Sequence, residues 1–96
     1  MKASREDIRG CVIESLQRVL DKPVATQIDD NTNPIQDFGL ESADGVDYAC
    51  VLSERLRYVI PHDVNPFVDD SGRRARKVGE IVDLMCSLLA NQEVTR

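Results

Sequence analysis

Ser42 stands between Gly39-Leu40-Glu41 and Ala43-Asp44-Gly45-Val46-Asp47, where a polar stretch gives way to a helix-like pattern. A serine at such a junction is by itself a good helix N-cap. It is also a hydroxyl set beside the positive end of a helix dipole, where an anion meets unpaired backbone N–H groups. Other residues with chemistry to offer do not assemble into a site. Asp29-Asp30-Asn31-Thr32-Asn33 starts like a calcium loop, but the sixth position is Pro34 where glycine is required and the twelfth is Leu40 where a bidentate glutamate is required. Cys11, Cys50 and Cys86 are an odd set without CxxC spacing, so neither a disulfide framework nor a zinc site is expected. Each falls in a helix-like segment and reads as a buried free thiol. His62 is the only histidine and reads as a surface loop residue. No nucleophile, base and orienting group stand together, so the chain is not expected to be an enzyme and no metal is expected.

The residues around Ser42 resemble the prosthetic-group attachment motif of acyl carrier proteins, Gly-x-Asp-Ser-Leu. Gly39, Leu40 and Ser42 fit that motif, Glu41 replaces its aspartate conservatively, and Ala43 departs from its leucine. The resemblance implies a 4′-phosphopantetheine arm joined to the Ser42 hydroxyl as a phosphodiester. It also implies an acyl chain held on the arm as a thioester, and a protein that presents cargo to other enzymes without doing chemistry itself. In that family the helix after the serine is the surface that partner enzymes recognise. The implied docking residues are therefore Glu41, Ala43, Asp44, Asp47 and Glu54. The missing leucine at Ala43 and the basic residues Arg73, Arg74, Arg76 and Lys77 imply a specialised member with its own partners.

Charge agrees with such a surface. The net charge is -5, and it is unevenly placed. Residues 23–54 hold seven acids and no lysine or arginine, while the rest of the chain carries ten acids and all 12 basic residues. An ordinary surface mixes signs, and a one-signed face steers association and fixes docking register. Basic partner surfaces are expected, and nucleic acid is not.

These residues need elements to position them. Ser4 and Asp7 form a capping-box-like start, and Ile8, Cys11, Val12, Leu16, Val19 and Leu20 then recur at three- and four-residue spacing, which predicts helix I over 4–20. Asp21-Lys22-Pro23 ends it. Residues 24–41 read as a long loop with a turn at Asn33-Pro34, pinned by Ile28, Ile35, Phe38 and Leu40. Helix II is expected over 42–58, with an apolar stripe of Val46, Ala49, Leu52, Leu56 and Val59. Gly45 in its second turn is out of place unless a neighbour approaches closely. A short third helix is expected over 64–69. A last helix over 76–90 carries Val78, Ile81, Val82, Met85, Leu88 and Leu89 on one face.

The sum is one all-α domain over 1–96, a small four-helix bundle with a long loop between helices I and II and a short third helix. Its core is aliphatic, without tryptophan, and lined by Val46, Leu52, Leu56, Val82 and Met85. Early charged residues argue against a signal peptide and the apolar runs are too short to span a bilayer, so a cytoplasmic monomer is expected. The expected function is an acyl carrier of fatty-acid, lipid or polyketide synthesis, met by a phosphopantetheinyl transferase and by acyl-transferring or synthase enzymes with basic docking surfaces. Two alternatives stand beside it. One is a peptidyl carrier domain. The other is a small helical interaction module without a prosthetic group, in which Ser42 is a plain N-cap and the cluster from Arg73 to Lys77 is the working surface.

Overall fold

A computed structural model describes residues 4–20, 28–61, 63–69 and 71–94. The expected helix stop at Lys22-Pro23 and the position of His62 lie outside these residues. Four helices follow in the order α1 (Arg5–Leu20), α2 (Pro34–Phe38), α3 (Asp44–Leu56) and α4 (Val78–Val94). The protein is all-α, as its periodicity predicts. Among the described residues there is no strand, only one antiparallel bridge between Val68 and Ala75.

Helix α1 lies in the middle and packs against both α3 and α4. Its start is the expected capping box. The Asp7 N–H donates to Ser4 Oγ at 3.1 Å, and the Ser4 N–H donates back to Asp7 Oδ2 at 3.2 Å. Ile8, Val12 and Leu16 are buried on its inner face and meet Val78, Ile81, Val82 and Met85 of α4 and Tyr48 and Leu52 of α3 in one continuous core. Burying a side chain of this size stabilises the fold by about 1.5–3 kcal/mol relative to leaving it exposed.

Three features depart from the sequence pattern. The short helix is α2, inside the expected long loop, and residues 63–69 form turns instead of a third helix. Asn33 caps α2 with its side-chain oxygen, which accepts from the Ile35 and Gln36 N–H groups, and Pro34 supplies the fixed φ that suits a first helical position. Beyond Pro66 the chain turns back on itself, tied by the Arg76 N–H to the Phe67 carbonyl and by the Asp69 N–H to the Arg74 carbonyl. The second departure is the length of α3. It begins at Asp44 and ends at Leu56, where Arg57 adopts φ 54, ψ 43 and its N–H closes on the Ser53 carbonyl. The third is its rotation. The inward residues are Gly45, Tyr48 and Leu52, and Leu56 is half-buried, whereas Val46 is 63% and Val59 80% exposed. Val46 is thus no part of the core. Tyr48, which the expected stripe omits, fills that place. Its ring stacks on Phe67 with centroids 4.8 Å apart, and its hydroxyl donates to the Val12 carbonyl at 3.0 Å. Burial pushes its phenol well above the ordinary value.

The loop before α2 is docked onto the end of the bundle. The Val78 and Gly79 N–H groups, the first of α4, donate to the Thr32 and Asp30 carbonyls at 2.8 and 2.9 Å. The Arg9 guanidinium holds the Asp30 carboxylate at 2.9 Å.

Candidate functional site: the turn before α3

Gly39 closes α2 in the left-handed conformation, φ 71 and ψ 19, and its N–H reaches the Ile35 carbonyl. A residue with a side chain is strained there, so the glycine serves the turn. Leu40 then packs against the core and anchors the approach. Glu41 and Ser42 are exposed. Ala43 is the N-cap residue of α3 and makes no side-chain capping bond. Ser42 therefore lies one position before the cap, and its hydroxyl is not used to start the helix. The plain N-cap role given to this serine by the alternative of an interaction module is taken by Ala43 instead.

The first N–H groups of α3 are already occupied. Asp44, Gly45 and Val46 donate to the carbonyls of Glu41, Ser42 and Ala43 at 3.0, 3.0 and 3.2 Å. The Glu41 N–H donates to Asp44 Oδ2 at 2.8 Å. An anion on Ser42 would meet the positive end of the helix dipole, but not three open donors.

Of the expected docking residues, the turn gathers Glu41, Ala43, Asp44 and Asp47. Asp47 is exposed and Asp44 partly so. Glu54 does not join them. It lies ten residues beyond Asp44, about 15 Å along the helix axis. There it shares a shallow hollow with Arg18, Val51 and Arg55, and Arg55 is paired with Glu14 at 3.0 Å. The acid-only face is thus the first two turns of α3 and not its whole length.

The basic cluster is also divided. Arg73, Arg74 and Lys77 are exposed. Arg76 is turned inward, and its Nη1 donates to the Asn65 and Val68 carbonyls at 2.9 and 2.6 Å. The adjoining turn is organised by the Asp69 carboxylate, held below its ordinary pKa chiefly by the Ser71 hydroxyl that donates to it. Part of this cluster therefore shapes a loop, which weakens its claim to be a single anion-binding surface.

Sequence reasoning missed two parts of the site. Asn65 lies over Gly45, and its Nδ2 donates to the Ser42 carbonyl at 2.8 Å. Gly45 in an apparent helix was the only signal of this close approach. An apolar groove of about 310 Å³ also runs along α3, lined on one side by Val46, Ala49, Cys50 and Ser53 and on the other by Val59, Ile60, Pro61 and Val64. Cys50 is exposed there, and Cys11 and Cys86 are only half-buried, so the expectation of three buried thiols does not hold. Among the described residues no cluster of His, Cys, Asp and Glu can hold a metal ion, and no helix is long and apolar enough to cross a membrane. The chain matches no family model, no curated protein and no solved structure.

Proposed function

We propose that the chain is a dedicated acyl carrier protein of fatty-acid, lipid or polyketide synthesis, with a 4′-phosphopantetheine arm joined to the Ser42 hydroxyl. The observation that carries the reading is the exposed Ser42 hydroxyl at the start of α3, left out of the helix cap by the Ala43 N-cap. The residues there fit the group. A phosphodiester at Ser42 would stand at the positive end of a helix of 13 residues, clear of the core. When attached, the arm supplies a flexible thiol on which an acyl group is carried as a thioester. The protein's own part is to hold the hydroxyl outward, to keep the site's surroundings polar, and to offer a docking face.

That face is formed by Glu41, Asp44 and Asp47, with Val46 and the groove beside it as its apolar part. A phosphopantetheinyl transferase and acyl-handling enzymes with basic docking surfaces are the proposed partners. Charge of one sign at the turn speeds encounter and orients the partner. The small side chain of Ala43, exposed beside Ser42, points to enzymes that do not need a leucine anchor there.

The deciding experiment is intact mass after incubation with coenzyme A and a broad-specificity phosphopantetheinyl transferase. A gain of one phosphopantetheine, mapped to Ser42, is expected. A chain that stays unmodified at high enzyme concentration, beside a carrier that loads fully, would overturn the proposal.

A further inference from the structure

Asn65 is placed to control the turn that presents Ser42. Its side-chain amide has two partners. Oδ1 accepts from the Phe67 N–H at 2.9 Å, and Nδ2 donates to the Ser42 carbonyl at 2.8 Å. A backbone donor on one side and a backbone acceptor on the other fix which end of the amide faces which way. The residue is itself held by Arg76 through its carbonyl at 2.9 Å, and Phe67 beside it is locked by its stack on the buried Tyr48. Gly45 completes the arrangement. A Cβ at that position would run into the Asn65 amide, so only glycine leaves room for it.

We propose that Asn65 is the positioning residue of the attachment site: its amide holds the Ser42 carbonyl and so fixes the turn in which the Ser42 hydroxyl meets a phosphopantetheinyl transferase. The inference rests on the carrier reading of Ser42. Asn65 touches the backbone of the serine and not the reacting oxygen, so it acts through the turn. The acids that a partner would meet first, Glu41, Asp44 and Asp47, are left in place when Asn65 is changed. The role should therefore appear in the turnover of loading and not in docking.

The test uses the full chain, Asn65→Ala, Gly45→Ala and the double variant, each checked for helix content by circular dichroism. Loading kinetics with coenzyme A and the transferase are measured beside amide hydrogen exchange at Asp44, Gly45 and Val46. Asn65→Ala should lower kcat for loading by roughly tenfold to a hundredfold with KM unchanged, as small misplacements of reacting groups do. Exchange at the turn should become faster. Gly45→Ala should reproduce both effects by displacing the amide. In the double variant Gly45→Ala should add no further loss, because the side chain it collides with is gone. Asn65→Asp keeps an acceptor for Phe67 and loses the donor to Ser42. Where Asn65→Ala is too unstable to assay, it should show the same fall in kcat and the same faster exchange. Its KM is left out of the comparison, because it adds a charge beside the acidic face. Folded variants that load and exchange like the wild type would overturn the positioning role. A wild-type chain that never gains mass would overturn the carrier reading instead, and the exchange rates then decide the Asn65 clamp alone.

Discussion

The start of α3 shares one device with the starts of the other helices and differs in what becomes of its nearest hydroxyl. Helix α1 opens with the reciprocal Ser4 and Asp7 capping box, and α2 with Asn33 bonded to two N–H groups and answered by the Asp37 carboxylate at 2.8 Å. Helix α4 opens against the Asp30 and Thr32 carbonyls, with Glu80 Oε1 accepting from the Lys77 N–H at 2.9 Å. In each case the chain spends good capping groups on the helix end. At α3 the Asp44 carboxylate accepts from the Glu41 N–H at 2.8 Å, as Glu80 does from Lys77, but Ala43 takes the cap position without a side-chain bond and Ser42 is left exposed. A capping group withheld from the helix is free for something else. The difference separates helix ends whose polar side chains are tied to the backbone from one beside an unused serine, and the proposed carrier role of that serine can be tested by perturbing both kinds.

The largest expected contrast is at the two end types themselves. Ser42→Ala should eliminate arm attachment, read by intact mass, while shifting stability by no more than about 0.5 kcal/mol, the usual range for an exposed side chain without special contacts. A Ser42→Ala variant that still gains mass would place the arm elsewhere and break the comparison. Next comes the charge at the open end. Asp44→Lys with Asp47→Lys should slow loading by about tenfold at low salt, and raising the salt should shrink the gap, since the Debye length is about 8–10 Å at ordinary ionic strength. Rates indifferent to both charge and salt would remove the docking role of this turn. Asn33→Ala should do the reverse of Ser42→Ala. It should lower stability in urea by about 0.5–2 kcal/mol and leave the loading of Ser42 intact.

The smallest effect concerns a hydroxyl on α3 itself, that of Tyr48, sealed where Ser42 is exposed. The Tyr48 phenol is buried and bonded to the Val12 carbonyl, and burial raises its folded pKa above the unfolded value near 10. The folded state therefore keeps a proton that the unfolded state has lost at high pH. The stability this contributes is complete below about pH 10 and falls by at most about 1.4 kcal/mol per pH unit above it. Denaturant titrations at pH 9 to 11 should show that slope in the wild type and not in Tyr48→Phe, which loses about 0.5–1.5 kcal/mol for the hydrogen bond. Equal slopes in the two proteins would show that the phenol is not sealed.

The helices with a clear outer face were legible in the sequence, because periodicity reports burial directly. In α1 and α4 the expected inner residues Ile8, Val12, Leu16, Val78, Ile81, Val82 and Met85 are buried, while Cys11, Val19, Leu20, Leu88 and Leu89 are half-buried and Ser15, outside the expected stripe, is buried with them. Helix α3 misled for a physical reason. Hydrophobicity favoured Val46 over Tyr48, but the helix is rotated so that Gly45 can lie under Asn65, and that contact comes from a residue twenty positions away. The short α2 was legible in principle. Asn33-Pro34 reads as a turn, yet asparagine followed by proline and then Asp37 is also a helix start, and Asn33 is used that way. At the site, Ser42 and its acids were visible as local sequence. Asn65 and Arg76 were not, since nothing local to them marks a partner on another element.

One consequence of this layout concerns the order of events during synthesis. Helix α1 emerges before the other three helices, but its buried face is completed by α4, the last of the four. The turn at Ser42 is likewise tied by Asn65, and Asn65 is steadied by Phe67 and Arg76. Domains of this size fold as units, so a nascent chain that has just released Ser42 has the serine but not the shape around it. A modifying enzyme that reads that shape, and not the sequence, would ignore nascent chains in which Asn65 and α4 have not yet emerged.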